Sequence, residues 1–544
     1  MFCVDVFSKG VKVRQTLFVF TGLLLAALLA ASTAGAQSTL MNAQKYGAMR
    51  QRLIDDFVRV GQGAGMSMPA AERWADGRIR WADATIRLGW YVGLLATEHH
   101  MVSHPEMFPG YATILPNGVD TAMELSHALD AIDRLDEVAD SVFPAPCTQT
   151  MSLNGFFIRD DVASDFHMNF PGRTSTSSDF TDVETLKEMS QDQVYHIFLG
   201  LALVKHLVPE SVAPRGKSLA RQAKAAAERI GRHVGEDWTI RNPACDDRQV
   251  ARGAFAAGYA PGASLTISFL TDGAYEPEFD ASFQALWDAG QEQSFAVYLN
   301  ADNQHMAMAI AATGRGWGDD TMTALATLAV DHDWYAYPLL YATLFNDDTA
   351  WCDVRDAINA RTRHMLDELP MDQFPASPRP NRAVHGWTVS SRFIRGGDSH
   401  YVGPAGSDGR TFPGLDYMLL HNLYATASPE LWPNGTGDDR CADLPLHPDV
   451  GSPNDDGGVR PHPDVGSPDD DLGVMPQPDV GGSVGDTGGS SPDVYDPQAG
   501  ANRSSEGDGG GCVAASGRFK GDHDLPAIPL MLLLATAVRR RRKW

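Results

Sequence analysis

The stretch VDTAMELSHALDAIDRLDEV, residues 119–138, decides the fold class. Its apolar side chains return every two to four residues, mostly three or four, which is the repeat of an α-helix with one buried face. They are Met123, Leu125, Leu129, Ile132, Leu135 and Val138. Most positions between them carry Asp, Glu, Arg, His or Ser, which favour solvent. The stretch therefore predicts an amphipathic helix of about five turns.

Segments of a similar kind lie further along the chain. Residues 193–208 form a richly apolar run that ends before Pro209, and proline is a common helix terminator. Residues 218–234 are rich in alanine, with Lys and Arg on one side. Further helices are predicted over residues 281–289, 306–312, 321–330 and 353–369. Strand-like alternation is confined to short pieces such as residues 265–269.

This pattern predicts a mainly α fold over residues 37–440, a length that suits one large domain or two ordinary ones. Helices of roughly 10–20 residues, joined by loops rich in Gly, Asp and aromatic residues, favour an array of helical hairpins. We therefore expect a single helical ectodomain with an (α/α)-toroid arrangement. An irregular helical bundle is the alternative that the pattern leaves open.

The next segment, residues 441–511, has the composition of a disordered linker. The sequence HPDVGSP occurs at residues 447–453 and again at 462–468, with a period of 15 residues. Between residues 442 and 511 there are 14 acidic residues against two arginines. A repeat with one Val among Pro, Asp and Gly cannot bury a core. We expect an extended, self-repelling stalk.

The amino terminus has the three parts of an export signal. A basic stretch at residues 9–14 precedes an apolar run at residues 17–29, and Ala-Gly-Ala follows at residues 34–36. The run is shorter than the roughly 20 residues that span a bilayer as a helix. Residues 1–36 are therefore predicted to be a signal peptide that is cleaved before Gln37. An uncleaved anchor is the alternative.

The carboxyl terminus, residues 512–544, has a second targeting pattern. The motif GGGC ends at Cys512, a short apolar run covers residues 525–538, and RRRRK closes the segment at residues 539–543. This arrangement resembles the MYXO-CTERM sorting signal of myxobacteria and their relatives. The resemblance implies a short hydrophobic helix as a transient membrane anchor, a sorting or processing protease as partner, and display on the cell surface. An ordinary single-span tail anchor is the alternative.

Four cysteines lie in the predicted exported part of the chain: Cys147, Cys245, Cys352 and Cys441. An oxidising compartment favours disulfides between them. Two bridges allow three pairings, and the sequence does not choose among them. None has the C-x-x-C spacing of a zinc site or a redox pair.

The charge and the motifs exclude several classes of function. The formal net charge is −25, and no Lys/Arg-rich stripe occurs before the carboxyl terminus, so we expect no nucleic-acid partner. The sequence has no phosphate-binding loop, dinucleotide fingerprint or nucleophile elbow. His100 and His104 lie four residues apart, but Pro105 follows and no third ligand is evident. We therefore expect neither a cofactor nor a metal.

The first candidate site residues lie at predicted helix starts and in charged loops. Ser190 and Gln193 have the spacing of a capping box, and Asp192 lies between them, where the helix dipole favours a carboxylate. Asp192 could instead face substrate as a catalytic residue. Arg159 and Asp161 form either an ion-paired loop or, respectively, a substrate-binding residue and one member of an acid/base pair.

The remaining candidates combine histidine, arginine and aromatic residues. His305 precedes a predicted helix and is either a capping residue or a general base. Residues 381–422 gather side chains that suit a sugar or uronate site, because aromatic faces stack on sugar rings, Arg grips a carboxylate and His moves a proton. In this stretch, His385 is the catalytic candidate, and the substrate-binding candidates are Trp387, Arg392, Arg395 and Tyr417.

Two hypotheses for function follow. The first is a surface-displayed carbohydrate-active enzyme, a lyase or glycosidase that acts on an extracellular polysaccharide. The second is a non-catalytic surface module that binds a glycan or another partner. Residues 154–161, 190–193 and 414–422 resemble segments of exported bacterial helical proteins, and this resemblance implies a fold without naming a reaction.

Overall fold

The structure is a computed structural model, and it describes the chain in segments. They are residues 41–73, 76–81, 84–142, 153–163, 165–166, 173–175, 189–234, 239–241, 247–249, 256–275, 312–314, 321–332, 335–345, 348–368 and 413–442. The predicted signal peptide, stalk beyond residue 442 and sorting tail lie outside these residues, and so do several segments between the helices. Those parts of the domain organisation remain predictions.

The described part is mainly helical. The first helix, α1, covers residues 41–52 and continues into a π-helical turn at Leu53–Phe57. The helices that follow are α2 (Ala84–Ser103), α3 (Tyr111–Ile114), α4 (Thr121–Val142), α5 (Gln191–Leu207), α6 (Leu219–Val234), α7 (Ala256–Thr271), α8 (Thr321–His332), α9 (Ala336–Leu344), α10 (Asp348–Glu368) and α11 (Leu415–Ala427). A short 3₁₀ turn, Pro429–Leu431, follows α11.

Short strands occur at two places. Strand β1 (Glu72–Arg73) pairs antiparallel with β2 (Arg78–Arg80), and β2 pairs parallel with β3 (Arg173–Ser175). A separate antiparallel pair joins β4 (Thr239–Arg241) to β5 (Asp247–Gln249). With two or three residues each, these strands tie loops together and contribute little to the core.

Helix α2 is the centre of the described fold. Of its 20 residues, 16 are buried, and it packs against α3, α4, α5 and α11. Such a helix has no polar face, which is the pattern of an element enclosed on all sides. His104 and Pro105 follow its last turn, and proline cannot continue a helix.

Glycines allow α2 and α5 to cross with their backbones in contact. A methyl group at Gly89 would lie 2.1 Å from the carbonyl oxygen of His196, and one at Gly200 would lie 2.3 Å from the carbonyl oxygen of Gly89. Both distances are far below any normal contact. Beside the crossing, the indole N–H of Trp90 donates to Nδ1 of His196 at 3.1 Å. Only glycine fits at these two positions.

The sequence pattern predicted five of the described helices, among them the apolar α5, and missed others that are buried on every side. The helices predicted over residues 119–138, 193–208, 218–234, 321–330 and 353–369 are confirmed as α4, α5, α6, α8 and α10. Residues 281–289 and nearly all of 306–312 lie outside the described part. Helices α2, α9 and α11 were not predicted, because burial on every side removes the polar stripe that marks a helix.

The strand-like alternation of residues 265–269 was a wrong prediction, because this segment lies inside α7. Thr266 Oγ1 donates to the Gly262 carbonyl at 2.9 Å, and Thr271 Oγ1 donates to the Ile267 carbonyl at 2.8 Å. Hydroxyls that bond to the preceding turn do not need solvent. Polar and apolar positions can therefore alternate in a buried helix.

Among the described helices, none combines the length and the apolar character needed to cross a bilayer.

The helical fold class is confirmed, whereas the ring closure of an (α/α) toroid stays a prediction.

A disulfide links Cys352 of α10 to Cys441, across a sequence separation of 89 residues. It fastens the end of the described chain to a helix, and nearby Arg440 donates to the Ala427 carbonyl at 2.8 Å. This bond selects one of the three pairings that the sequence allowed, and it leaves Cys147 and Cys245, both outside the described residues, as the remaining pair.

We expect a second disulfide between Cys147 and Cys245. Helices α4 and α6 run side by side in the same direction, since Asp130 accepts from Gln222 at 2.9 Å and Asp136 accepts from Arg229 at 3.3 Å. Their carboxyl ends therefore lie at one end of the fold, with Cys147 following α4 and Cys245 following the helix beside it.

Peptide mapping of the purified chain without reduction should recover Cys352–Cys441 and Cys147–Cys245 as linked peptides. Mapping after reduction, in which both cross-links should vanish, is the control. Four free thiols would contradict this assignment. So would a disulfide that joins a cysteine of one pair to a cysteine of the other.

Candidate functional site

The structure describes four of the nine residues predicted to form a site. Asp161, Arg159 and Tyr417 are described, as is the backbone of Asp192. The others lie outside the described residues: His305, His385, Trp387, Arg392 and Arg395. Their roles stay predictions.

Asp161 is a buried, ion-paired carboxylate. Its Oδ1 accepts the backbone N–H of Gly65 at 2.9 Å and Nη2 of Arg134 at 3.2 Å, and Arg134 Nε pairs with its second oxygen. Arg134 also donates to the Met66 carbonyl at 2.9 Å. These contacts join α4 to the loop before β1, and they occupy both carboxylate oxygens of Asp161.

The start of α5 is capped in the way that the sequence predicts. The Ser190 N–H donates to Gln193 Oε1 at 3.2 Å, and the Gln193 side chain is buried. Just before it, the Met189 N–H donates to the Phe157 carbonyl at 2.9 Å. The structure therefore brings the loop that contains Asp161 next to the helix whose first turn contains Asp192.

The last part of the stretch from residue 381 to 422 is helix and core. From Leu415 onward it forms α11, and the ring of Tyr417 is fully buried, with its hydroxyl 3.4 Å from Oδ1 of Asn42. His421 is also buried, and burial lowers its pKa to about 4. The prediction that Tyr417 binds substrate is therefore wrong, because the leucines and Met418 of this segment place it in the interior.

A buried polar network lies where α1, α2 and α4 meet. Arg50 Nε donates to Glu98 Oε1 at 2.7 Å, and Arg50 Nη2 lies 2.7 Å from Glu124 Oε2. The Tyr46 hydroxyl donates to Glu98 Oε1 at 2.6 Å, and the Tyr91 hydroxyl donates to Glu124. The guanidinium of Arg50 thus pairs with two carboxylates. Burial raises the pKa of Glu98.

Helices α3 and α11 extend the same network. The Tyr111 hydroxyl donates to Asn422 Oδ1 at 3.0 Å, and the Asn422 amide donates to the hydroxyls of Tyr46 and Thr97, each at 3.0 Å. His421 Nδ1 lies 3.1 Å from Asn422 Oδ1. All of these side chains are buried. We therefore interpret the network as a device that fixes the register of five helices.

The strongest candidate site is a cleft at the carboxyl-terminal ends of α2, α5 and α7, with α6 as its further wall. It has a volume of about 470 Å³, which is in the range of small-ligand sites. Its ionisable lining residues are His100, His104, Lys205, His206, Glu210, Arg221, Lys224 and Asp272. We call it the histidine–lysine cleft.

Two lysines in this cleft share one carboxylate. Lys205 Nζ pairs with Asp272 Oδ1, and Lys224 Nζ donates to Asp272 Oδ2 at 3.1 Å. These hydrogen bonds, that of Lys205 first, lower the pKa of Asp272. Because two ammonium groups face one carboxylate, the cluster keeps a positive charge. Arg221 adds another cation, which pairs with exposed Glu210 at 3.4 Å.

Three histidines, His100, His104 and His206, also line the cleft. The rings of His100 and His104 lie 4.3 Å apart between centroids. His104 Nδ1 is 2.8 Å from the His100 carbonyl, and since a carbonyl only accepts, the ring proton lies on Nδ1. Burial, and then the neighbouring His104, His206 and His99, lower the pKa of His100 to about 4. Burial also lowers the pKa of His206.

Two other cavities are less suited to a charged ligand. A cleft of about 700 Å³ beside α3 has His99 and Asp120 as its ionisable lining residues. A pocket of about 20 Å³ beside His421 and Trp432 has room for about one water. The histidine–lysine cleft therefore has the greatest density of charge among these three cavities.

Metal binding finds no support in the described residues, since no group of three or more His, Cys, Asp or Glu side chains there is arranged to hold an ion. The arrangement of the cleft instead suits an anion, because ammonium, guanidinium and imidazole N–H groups all donate hydrogen bonds to oxyanions.

The sequence contained a partial signal for this cleft. His99, His100 and His104 cluster at the end of α2, and Lys205-His206 is a basic pair at the end of an apolar helix. The spacing of His100 and His104 suggests only a metal site, which the sequence analysis excludes, and nothing in the sequence joins these histidines to Lys224 or Asp272. No protein-family model, curated protein or solved structure matches this chain.

Proposed function

We propose that this chain is an exported, surface-displayed protein whose helical domain binds an acidic polysaccharide at the histidine–lysine cleft. The observation that carries the proposal is that Lys205, Lys224 and Arg221 line one open cleft together with three imidazoles. Carboxylate or sulfate groups of a glycan would pair with these donors. An open, polar cleft also suits a long flexible ligand better than a closed apolar pocket does.

The export signals, the disulfide and the stalk support the location in this proposal. The disulfide between Cys352 and Cys441 is the kind of bond that persists outside the cytoplasm. An acidic linker of about 70 residues and the sorting tail would hold the domain away from the membrane. The domain would then meet extracellular polysaccharide directly.

A lyase acting on the same ligand is the second candidate. The half-buried imidazole of His100, held neutral by its low pKa, lies in the same cleft as the lysines. A neutral base can take the proton beside a uronate carboxylate while a cation stabilises the developing charge. The bond to the glycosidic oxygen then breaks as a C=C bond forms, and water supplies the proton that the leaving oxygen takes up.

Under both the binding and the lyase proposal, Asp192 would lie outside the histidine–lysine cleft. It lies in the first turn of α5, and the 1.5 Å rise per residue puts its backbone about 20 Å from that of Lys205. A second site that includes Asp192, His305 and His385 remains a proposal of its own.

We expect the full chain to bind polygalacturonate and not neutral dextran. Replacing the two more exposed cations, Arg221→Gln with Lys224→Gln, should weaken binding at least about tenfold, because each charged hydrogen bond contributes about 1.5–3 kcal/mol. Isothermal titration calorimetry measures this change, and ultraviolet absorbance of an unsaturated product tests the lyase alternative.

The matched control is Lys217→Gln, which removes an exposed lysine from the connection before α6 and should leave the affinity unchanged. Equal binding of the double variant and the native chain would contradict the location of the site. Equal affinity for dextran and polygalacturonate would contradict the ligand class.

A further inference from the structure

Four imidazoles lie at or beside the histidine–lysine cleft. His99 and His100 come from α2, His104 follows that helix, and His206 comes from the last turn of α5. The other charged groups facing them are Lys205 of α5, Glu210 after α5, Arg221 and Lys224 of α6, and Asp272 after α7. Cations thus outnumber anions here even when every imidazole is neutral.

The spacing of the imidazoles makes their protonation unfavourable in the empty cleft. The His100 and His104 rings are 4.3 Å apart, so two imidazolium ions would lie nearly in contact. The two acidic groups do not offset this repulsion, because Asp272 is already engaged by Lys205 and Lys224, and Glu210 pairs with Arg221. A bound anion would supply the missing negative charge.

We propose that anion binding in this cleft is coupled to proton uptake by His100 and His206, so that the protein captures acidic polysaccharide more tightly in acidic surroundings. This inference rests on the proposed function and adds its regulation. His104 holds the His100 carbonyl through Nδ1–H, and a protonated His100 or His206 has N–H donors on both ring nitrogens. An arriving oxyanion would therefore gain both a charge and a hydrogen bond.

The direction of the pH dependence follows from linkage. The pKa of His100 is about 4 in the free cleft, and a bound anion raises it. The affinity therefore increases as the pH falls through the raised pKa of the complex, and it levels off below the pKa of the free protein. We expect binding at about pH 5.5 to be at least about tenfold tighter than at about pH 7.5.

Calorimetry with the full chain and dextran sulfate tests this coupling, because sulfate groups stay charged across this range and the ligand itself does not titrate. Titrations at about pH 6 in buffers of different ionisation enthalpy give the number of protons taken up. We expect at least about half a proton for each bound site. Polygalacturonate is the carboxylate ligand for comparison.

The variants His100→Asn and His206→Asn should each reduce the proton uptake and flatten the pH profile. His364→Asn, at an exposed position of α10, should change neither. Binding without proton uptake would overturn the coupling and leave the proposed function intact. Failure of both anionic polymers to bind at any pH would overturn the proposed function itself, and the coupling with it.

Discussion

Replacing Gly89 with alanine is expected to lower the free energy of unfolding by more than about 3 kcal/mol, at or beyond the upper end of the usual cost of overpacking. The added methyl group would lie 2.1 Å from the His196 carbonyl oxygen and 2.8 Å from the Ile197 nitrogen. Both atoms are backbone, so no side chain can rotate away. Helix α5 would have to move as a unit, and α6 and α7 pack against it. Chemical denaturation of the purified chain measures the loss.

Gly231→Ala is the matched control, since Gly231 also lies in a long helix. A methyl group there meets only side-chain atoms, the nearest being Cδ1 of Ile267 at 3.2 Å. Alanine gains helix propensity of about 1 kcal/mol over glycine, so the net change should be within about 1 kcal/mol. Equal losses for the two variants would contradict the close crossing of α2 and α5.

Replacing Arg50 with methionine is expected to destabilise the chain by about 3–5 kcal/mol, the cost of removing one partner from a buried ion pair. Arg50 joins Glu98 of α2 to Glu124 of α4. Without the guanidinium, two buried carboxyl groups face each other with only tyrosine hydroxyls as donors. Denaturation at neutral pH gives the size of the effect. Arg78→Met, which breaks an exposed pair with Asp76, should cost less than about 1 kcal/mol.

The destabilisation caused by Arg50→Met should be smaller in acid than at neutral pH. Burial already raises the pKa of Glu98, and loss of Arg50 raises it further. A carboxyl group whose folded pKa is raised stabilises the fold below its unfolded pKa, and this contribution disappears as the pH rises through the folded pKa. The loss should therefore be smaller at about pH 5 than at about pH 8. Equal losses at both pH values would show that the carboxylates have other partners.

A comparison of α4 with α2 shows which helices can be predicted from the sequence. Helix α4 was predictable because Asp130, Asp133 and Asp136 separate its apolar residues at helical spacing, although all three face α6 and bond to Gln222 or Arg229 there. Helix α2 has no such marks, since Arg87 and Glu98 are buried along with its leucines. A method based on periodicity cannot detect a helix that has no solvent face.

The candidate site could not be predicted from the sequence, for a different reason. The capping of α5 by Ser190 and Gln193 is local, over four residues, and it was predicted correctly. The histidine–lysine cleft joins His100 to Lys224 and Asp272, which are separated by long stretches of chain. Their meeting depends on the packing of α2, α5, α6 and α7, and no spacing in the sequence encodes it.

The most direct test of glycan binding at the cleft is the acylation rate of individual lysines, followed by mass spectrometry. With polygalacturonate at about ten times its Kd, Lys224 should react about tenfold more slowly than in the free chain. Lys217, whose side chain is 67 % exposed, should react at an unchanged rate, and neutral dextran should protect neither lysine. Unchanged labelling of Lys224 under saturating polygalacturonate, or equal protection of Lys217, would contradict binding at this cleft.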